Sequence, residues 1–442
     1  MNSRRAALEA LIGELDVIVD PRVGIVRQVE IVPREAGSPD FFHVAGKACT
    51  TSAFTRQTNF GATGGASADL DIAVAKAVGE AVERYCSAIY DFEDLPLYPR
   101  NLAPFSCVAA EDFALYSDVQ YEQPGFPWVP LTDDTPVRWT PGIDAATGES
   151  CHVPAAMVYM PYHYYTDTGE VPIAQPISTG LACHLGSARA AISAICEVIE
   201  RDAFMIAWQA GLAPPQIRVE TLSDRNYDLV GRFEQTGGVV TLLDITTDSG
   251  VSTVLAVLRS EAATCPAMVV AASADLDPEH AVRKALEELA HTRRYAQQIK
   301  KRMPRLNASN LDVVADQVDH LNFWCDHANA QRGDFLLRSA ARKDFDDLPN
   351  LATGSPERDH ADLVTRINST GHQVILCDLT TADVSELGFR VVRAVIPGFH
   401  PLFMGFANRA LGGRRLREVP ERLGLTSFVC KSGHISLPHP YP

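Results

Sequence analysis

The sequence predicts an α/β fold of mixed sheets in which two long helices carry the chemistry. Three observations predict it. Helical and strand periods interleave along the 442 residues, and an apolar content of 46% is enough for a real core. Runs such as 238–246, 251–259 and 267–273 are almost continuously apolar, the pattern of buried strands. Lys76-x-x-x-Glu80-x-x-Glu83-Arg84 on one helical stretch is answered by Ser193-x-x-x-Glu197-x-x-Glu200-Arg201 on another.

The first helix is read over residues 71–90. Ala73, Val74, Ala77, Val78, Ala81, Val82, Tyr85 and Ile89 form its apolar stripe, and Lys76, Glu80, Glu83, Arg84 and Ser87 occupy the other side. A Pro- and aromatic-rich stretch, 91–175, follows with short strand candidates such as 153–160. The second helix, 188–208, buries Ala191, Ile192, Ile195, Val198 and Ile199 and turns Arg189, Ser193, Glu197, Glu200 and Arg201 outward. The three apolar runs then read as strands of one sheet, the first two joined by a Thr-Asp-Ser-Gly turn. Asp277-Pro278-Glu279 reads as an N-cap with proline at the first helical position, opening a third long helix that ends near Lys301. Residues 303–311 and 342–362 read as loops, and 373–379 and 390–396 as further strands. The organisation expected is an amino-terminal extension over 1–55, one compact α/β domain over 56–416, and a carboxy-terminal segment over 417–442.

Charge excludes several partners. A formal net charge of −16 argues against nucleic acid and against an anionic membrane surface, since both are bound through clustered Lys and Arg. A polyanionic nucleotide would need a bridging metal. The ten cysteines are scattered singly with no C-x-x-C pair, which points to a reducing cytoplasm without a disulfide framework or structural zinc. Glu9, Glu14 and Asp16 interrupt the stretch after Arg4-Arg5 that an export signal would need uncharged, and no run of about 18 apolar residues occurs.

Positions i, i+4, i+7 and i+8 fall on one stripe of a helix, so each copy of the signature lines up two carboxylates and a guanidinium. Four carboxylates facing one another repel unless cations sit between them, and that is how a site for Mg²⁺ and a polyphosphate is built. A single such stripe is ordinarily a solvated face with an intrahelical pair worth a few tenths of a kcal/mol. Its recurrence makes a candidate metal and nucleotide site. Gly-rich pieces precede both helices, Asn59-FGATGGASADL and Ile177-STGLACHLGSA. Amides at helix entrances can bind phosphate, and plain turn-making by glycine is the competing reading. Neither a P-loop nor a G-x-G-x-x-G follows a strand, and His291 and His400 are general-base candidates whose alternative is a structural role. The chain ends Leu437-Pro438-His439-Pro440-Tyr441-Pro442, where three alternating prolines hold an extended segment that is either a frayed end or a preorganised one.

Glu80-AVERY, the Ile177-STGLA segment followed by Cys196-EVIERDA, and the Pro-x-Pro-x-Pro ending together resemble the YcaO family, and within it the azoline-forming cyclodehydratases of the D-protein type. Ala274-DLDPEHAVRKALEELA resembles the family's third nucleotide-contacting helix, and Pro397-GFHPLFMG with Leu411-GGRRL resembles the block before its tail, so the likeness spans roughly residues 45–442. The resemblance implies the family's own ATP-binding fold, with ATP and Mg²⁺ as cofactors. Glu80, Glu83, Glu197 and Glu200 would be the metal carboxylates, and Arg84 and Arg201 would orient or neutralise them. Lys76 and Ser193 would stand at the head of each stripe, where Lys76 either touches a phosphate or points to water. His291 and Arg293 stand where the third helix commonly has Gln and Arg, so Arg293 and Glu288 are assigned as nucleotide contacts. Pro438, Pro440 and Pro442 would order the catalytic centre, with the terminal carboxylate as a proton-transfer group. Leu185 and Arg189 replace an Asn and a Glu that many members use, which puts one metal ligand in doubt.

The activity implied is ATP-driven cyclodehydration of Cys, Ser or Thr in a ribosomally made precursor peptide to thiazolines or oxazolines. A separate partner resembling a ubiquitin-activating enzyme would grip the precursor's leader, and a homodimer is compatible with the sequence. The alternatives are a thioamide-forming relative and a noncatalytic scaffold subunit. Glu197→Gln and Glu200→Gln are expected to abolish ATP turnover with the fold intact, and removal of residues 438–442 to block ring formation with little loss of stability.

Overall fold

The computed structural model describes residues 8–442 except 10, 14, 114, 307–308 and 426–433. Three sheets and seven α-helices of eight residues or more make up the described chain. The first sheet is antiparallel, β1 (Val26–Val32), β2 (Phe42–Ala48) and β3 (Ala62–Ser67), so two strands of the amino-terminal extension are completed by a third from beyond it. Helix α1 (Leu70–Ser87) starts at Asp69, whose side chain accepts from the amides of Asp71 and Ile72. It lies hard against β3. A Cβ on Gly65 would stand 2.2 Å from the Ala73 carbonyl, so the Gly-rich run before this helix serves close strand–helix packing rather than a turn.

The second sheet runs β4 (Leu97–Tyr98), β5 (Val137–Asp144), β13 (Ile375–Asp378), β14 (Phe389–Val395), β7 (Leu181–Leu185), with β6 (Ser150–Pro154) also pairing β5. The strand expected at 153–160 ends at Pro154 and passes into a 3₁₀ turn, Ala155–Met157. Helix α2 (Ser187–Gln209) packs against β14 and β7 through Ala194, Ile195, Val198 and Ile199.

The third sheet has the order β11 (Met268–Ala274), β10 (Thr253–Ser260), β9 (Gly238–Asp244), β8 (Gln216–Ile217), β12 (Arg342–Lys343), with Leu255 opposite both Leu243 and Ala272. The apolar runs at 238–246, 251–259 and 267–273 do form one sheet, and its burial explains why they do not alternate. Leu243, Leu255, Val257, Val270 and Ala272 face Phe204 and Trp208 of α2, whereas Leu242, Val254, Ala256, Val269 and Ala271 face Ala281, Ala285 and Leu289 of helix α4 (Pro278–Arg302). Helices α3 (Asp224–Glu234), α5 (Gln317–Trp324) and α7 (Arg415–Arg422) complete the set with α6 (Pro356–Ser369). Residues 342–362 were expected to be loop, but α6 begins inside them, with Ser355 as N-cap and Pro356 in the first turn. Its short polar opening hid the buried Leu363, Val364 and Ile367 that follow.

The chain end returns along α2. Ile435 N–H donates to the Gln209 carbonyl, Trp208 Nε1 to the Leu437 carbonyl and Trp324 Nε1 to the Pro438 carbonyl. Farther on, His439 stands edge-on to Phe204 and the Tyr441 ring tilts against it, so the tail follows one face of α2 toward its amino terminus. His320 Nδ1 donates to the His439 carbonyl at 2.8 Å while its Nε2 accepts from Gly405 N–H at 3.1 Å, an arrangement only the neutral ring satisfies. Burial pushes His320 from the ordinary 6.5 down to about 4, and burial does the same to His43 in β2. Between those values only the unfolded chain accepts the proton. Stability is therefore fully present above pH 6.5 and falls as the pH drops toward 4. Thermal unfolding followed from pH 8 to pH 5 is expected to show this decline, and His320→Asn should lower the midpoint at pH 8 yet flatten the slope. An unchanged slope would remove His320 from the account.

Candidate active site

Helices α1 and α2 bring their acidic stripes together. Glu80 accepts from Gly64 N–H at 3.0 Å and from Arg84 at 3.3 Å. Gly64 is admitted because the ring of His291 lies over it, and a Cβ there would fall 2.7 Å from His291 Cε1. Glu83 accepts from the amide of Cys183 in β7 at 2.8 Å. Burial and the facing Glu197 push its carboxyl up to about 8, with Arg84 and the Cys183 amide working against that. This is the cross-helix repulsion that two converging stripes require. Glu197 accepts from Arg201 at 3.4 Å.

Glu200 is the most enclosed of the four. Its Oε1 receives Arg201 at 2.9 Å and the Tyr441 hydroxyl at 2.5 Å, and its Oε2 receives Ala274 N–H at 3.3 Å. The Arg201 guanidinium sits 4.4 Å over the Tyr441 ring. Burial raises the Glu200 carboxyl, and Arg201 and Tyr441 pull it back. The tail thus meets the acidic cluster through Tyr441. Pro438 offers its carbonyl to Trp324 instead, Pro440 is buried, and Pro442 follows half-buried.

Helix α4 closes a third side. Lys76 neither meets solvent alone nor stands free for a phosphate, because its ammonium lies 2.9 Å from Glu287, 3.0 Å from Glu288 and 3.1 Å from the Ala66 carbonyl. Glu288 is so brought to the cluster. Burial works against its charge, but Lys76 and His291 hold it below the ordinary carboxylate range. Arg293 does not join. Its guanidinium reaches the Gly37 carbonyl at 3.4 Å and Cys265 Sγ at 3.8 Å, since two residues past His291 is a turn of about 200° on a helix. Ser193 is half-buried one turn before Glu197, and Arg189 lies in the first turn of α2. Leu185, the last residue of β7, packs with the cluster of Phe389 and Val391, so the position offers apolar contact in place of a ligand.

Sequence reasoning missed four residues here. Tyr441 carries no role in the sequence reading, which assigns only the prolines around it, yet it meets Glu200 and Arg201. Lys284, one turn before Glu288 on α4, lies within electrostatic reach of Glu200 and Glu288, and that spacing was a usable signal. Glu287, only 1% exposed at its side chain, holds Ser67 at 2.7 Å as well as Lys76. Arg393 of β14 is buried and feels both Glu197 and Arg84; an arginine inside an apolar strand was the signal.

Among the described residues no three His, Cys, Asp or Glu side chains converge closely enough to hold an ion by themselves. The donor set nonetheless fits Mg²⁺, which keeps one or two carboxylates and takes the rest of its shell from phosphate and water. A carboxyl raised by burial and by another on the facing helix, as Glu83 is by Glu197, is what a bound cation would reverse.

Converging acidic helices, closed by a third helix and by the last residues of the chain, define an arrangement distinct from P-loop and Rossmann folds. The chain belongs to the YcaO family: the model described as YcaO cyclodehydratase, ATP- and Mg²⁺-binding, matches residues 64–400. Its fold is that of solved family members. A heterocyclase in complex with substrate and cofactor superposes with a TM-score of 0.78 at 20% identity, over 98% of this chain and 57% of that one. The chain therefore spans somewhat over half the length of that relative. YcaO from Methanopyrus kandleri bound with AMPPCP and Mg²⁺ gives 0.62 at 20% identity, covering 89% and 90% of the two chains. The E. coli microcin synthetase McbBCD complex with pro-MccB17 bound gives 0.55 at 14% identity over 84% and 88%. No helix among the described residues is long and apolar enough to cross a membrane.

Proposed function

We propose that this chain is an ATP-dependent cyclodehydratase that converts Cys, Ser or Thr of a ribosomally made precursor peptide to thiazolines or oxazolines in the cytoplasm. The single observation that carries the reading is the convergence of Glu83 and Glu197 from two helices, beside a Glu200 capped by the chain's own Tyr441. Family membership supplies the reaction class. Glu80, Glu83, Glu197 and Glu200 would hold Mg²⁺, which when bound neutralises the triphosphate and favours transfer of its terminal phosphoryl group.

The side chain of the reacting residue attacks the carbonyl carbon of the preceding amide, giving a hemiorthoamide whose oxygen is a poor leaving group. That oxygen takes the terminal phosphoryl group as the bond to ADP breaks. Loss of phosphate, with the amide proton leaving nitrogen, forms the C=N bond of the ring. Arg84, Arg201 and Lys284 are the cations that would balance charge as it moves, and their fixed positions lower the reorganisation cost. A separate protein resembling a ubiquitin-activating enzyme is the partner expected to bring the leader; McbBCD, itself a complex, supports a multi-subunit arrangement.

Purified chain with its partner, precursor, Mg²⁺ and ATP should yield ADP, phosphate and a peptide lighter by one water per ring. Oxygen-for-sulfur exchange in the mass spectrum would select the thioamide-forming alternative. Absence of ATP turnover would select the scaffold.

A further inference from the structure

Between Val198 of α2 and the end of β14 lies a cavity of about 270 Å³. Phe113, Leu115, Met157, Val198 and Phe399 make its apolar walls, and the exposed pair Arg414 and Asp112, 3.9 Å apart, stands at its rim. Val198 is the residue after Glu197, so cavity and acidic stripe share one stretch of α2. A smaller hollow of about 40 Å³ meets the cavity at Arg393, Leu115 and Met157.

Arg393 lines both spaces and is 4% exposed. Its Nη2 donates to the Ile177 carbonyl at 2.8 Å, while Nε and Nη1 have no hydrogen-bond partner. Buried donors left without a partner are costly and rare in native structures, and a bound group that completes them is one reason for keeping them. Burial and the neighbouring Arg84 pull the guanidinium down to about 10 against the attraction of Glu197, so its charge is under-compensated in the free protein.

Resting on the cyclodehydratase reading above, we propose that this cavity receives the stretch of precursor backbone being modified, and that an unfilled N–H of Arg393 donates to the carbonyl oxygen of the reacting amide. A peptide fits better than a free phosphate. Phosphate would demand several donors at once; of the three guanidiniums on the walls, Arg415 is held by Asp202 and Asp248 and Arg414 faces Asp112, which leaves Arg393 as the one with unfilled donors among aromatic and aliphatic side chains. A carbonyl oxygen that gains negative charge during attack is the acceptor such a donor stabilises most. The arrangement holds that oxygen next to the stripe that would carry the phosphoryl donor.

The test is calorimetric titration of N-acetyl-Gly-Cys-Gly-amide into the full chain, with and without AMPPCP–Mg²⁺. Arg393→Gln is expected to weaken the peptide at least tenfold and AMPPCP–Mg²⁺ less than twofold, and Thr179→Leu, which narrows the cavity without touching the guanidinium, should weaken the peptide alone. Unfolding midpoints show whether each variant is folded. The proposal is overturned if the unsubstituted chain does not bind the peptide, or if both variants bind it unchanged. It is equally overturned if Arg393→Gln instead abolishes binding of AMPPCP–Mg²⁺ or of inorganic phosphate. Failure of the unsubstituted chain to bind AMPPCP–Mg²⁺ would overturn the cyclodehydratase reading, and the nucleotide-free titration would still decide this one.

Discussion

Glu83→Gln and Glu197→Gln are expected to lower ATP turnover by about a hundredfold to a thousandfold while leaving the unfolding midpoint of the free protein unchanged or higher. A carboxylate that helps a cation stabilise phosphoryl transfer is worth several kcal/mol, and about 1.4 kcal/mol is a factor of ten in rate. In the free protein the same carboxylate is a burden, because Glu83 is raised to about 8 by burial and by Glu197. Glutamine at 83 keeps an acceptor for the Cys183 amide, 2.8 Å away, and removes the repulsion. ADP release and thermal unfolding measured on one preparation read the two effects separately. Turnover at the unsubstituted rate in both variants would remove these residues from the site. A fall in both turnover and midpoint would mean the carboxylates only support the fold.

Removal of residues 438–442 is expected to stop ring formation and to destabilise the protein, by about 3–5 kcal/mol if the loss resembles other large aromatic deletions. The sequence alone suggested little cost in stability, as for a free end. Burial overturns that: Tyr441 is 2% exposed, His439 is fully buried, and both belong to the packing around Phe204 and Trp208. Deletion would also strip the acceptors from Trp324 Nε1 and His320 Nδ1. Tyr441→Phe therefore isolates the functional part, keeping the ring and removing only the hydroxyl that donates to Glu200 and lies 3.5 Å from the Ala272 carbonyl. Ring formation should fall while the midpoint shifts by no more than about 1–3 kcal/mol, the usual cost of a lost charged hydrogen bond. Equal product yields from Tyr441→Phe and the unsubstituted chain would separate the tail from the chemistry.

The helical elements were the most legible. The stretches read at 71–90 and 188–208 and the third helix from Asp277 correspond to α1, α2 and α4, because each carries a long apolar stripe, and α1 and α4 also start at capping aspartates. The packing role of the Gly-rich run before α1 was not legible, since glycine that lets a helix approach a strand looks the same as glycine in a turn. Within the site, Glu80, Glu83, Arg84, Glu197, Glu200 and Arg201 were visible from spacing. Arg293 was not separable from its neighbours by likeness alone, and only its position on α4 shows it turned toward Gly37 and Cys265.

By itself the sequence determined which side chains share a face, because the helical period fixes that from local order. It determined likewise that four carboxylates would lie on two such faces, and that the chain end would be stiff. Tertiary structure decided what opposes each charge. Tyr441 reaches Glu200 across 241 residues of chain, Lys76 reaches Glu288 across 212, and Arg393 is left with unfilled donors beside a cavity. Those pairings depend on how the sheets and helices pack together, and contacts so distant in the chain leave no periodic trace in its order.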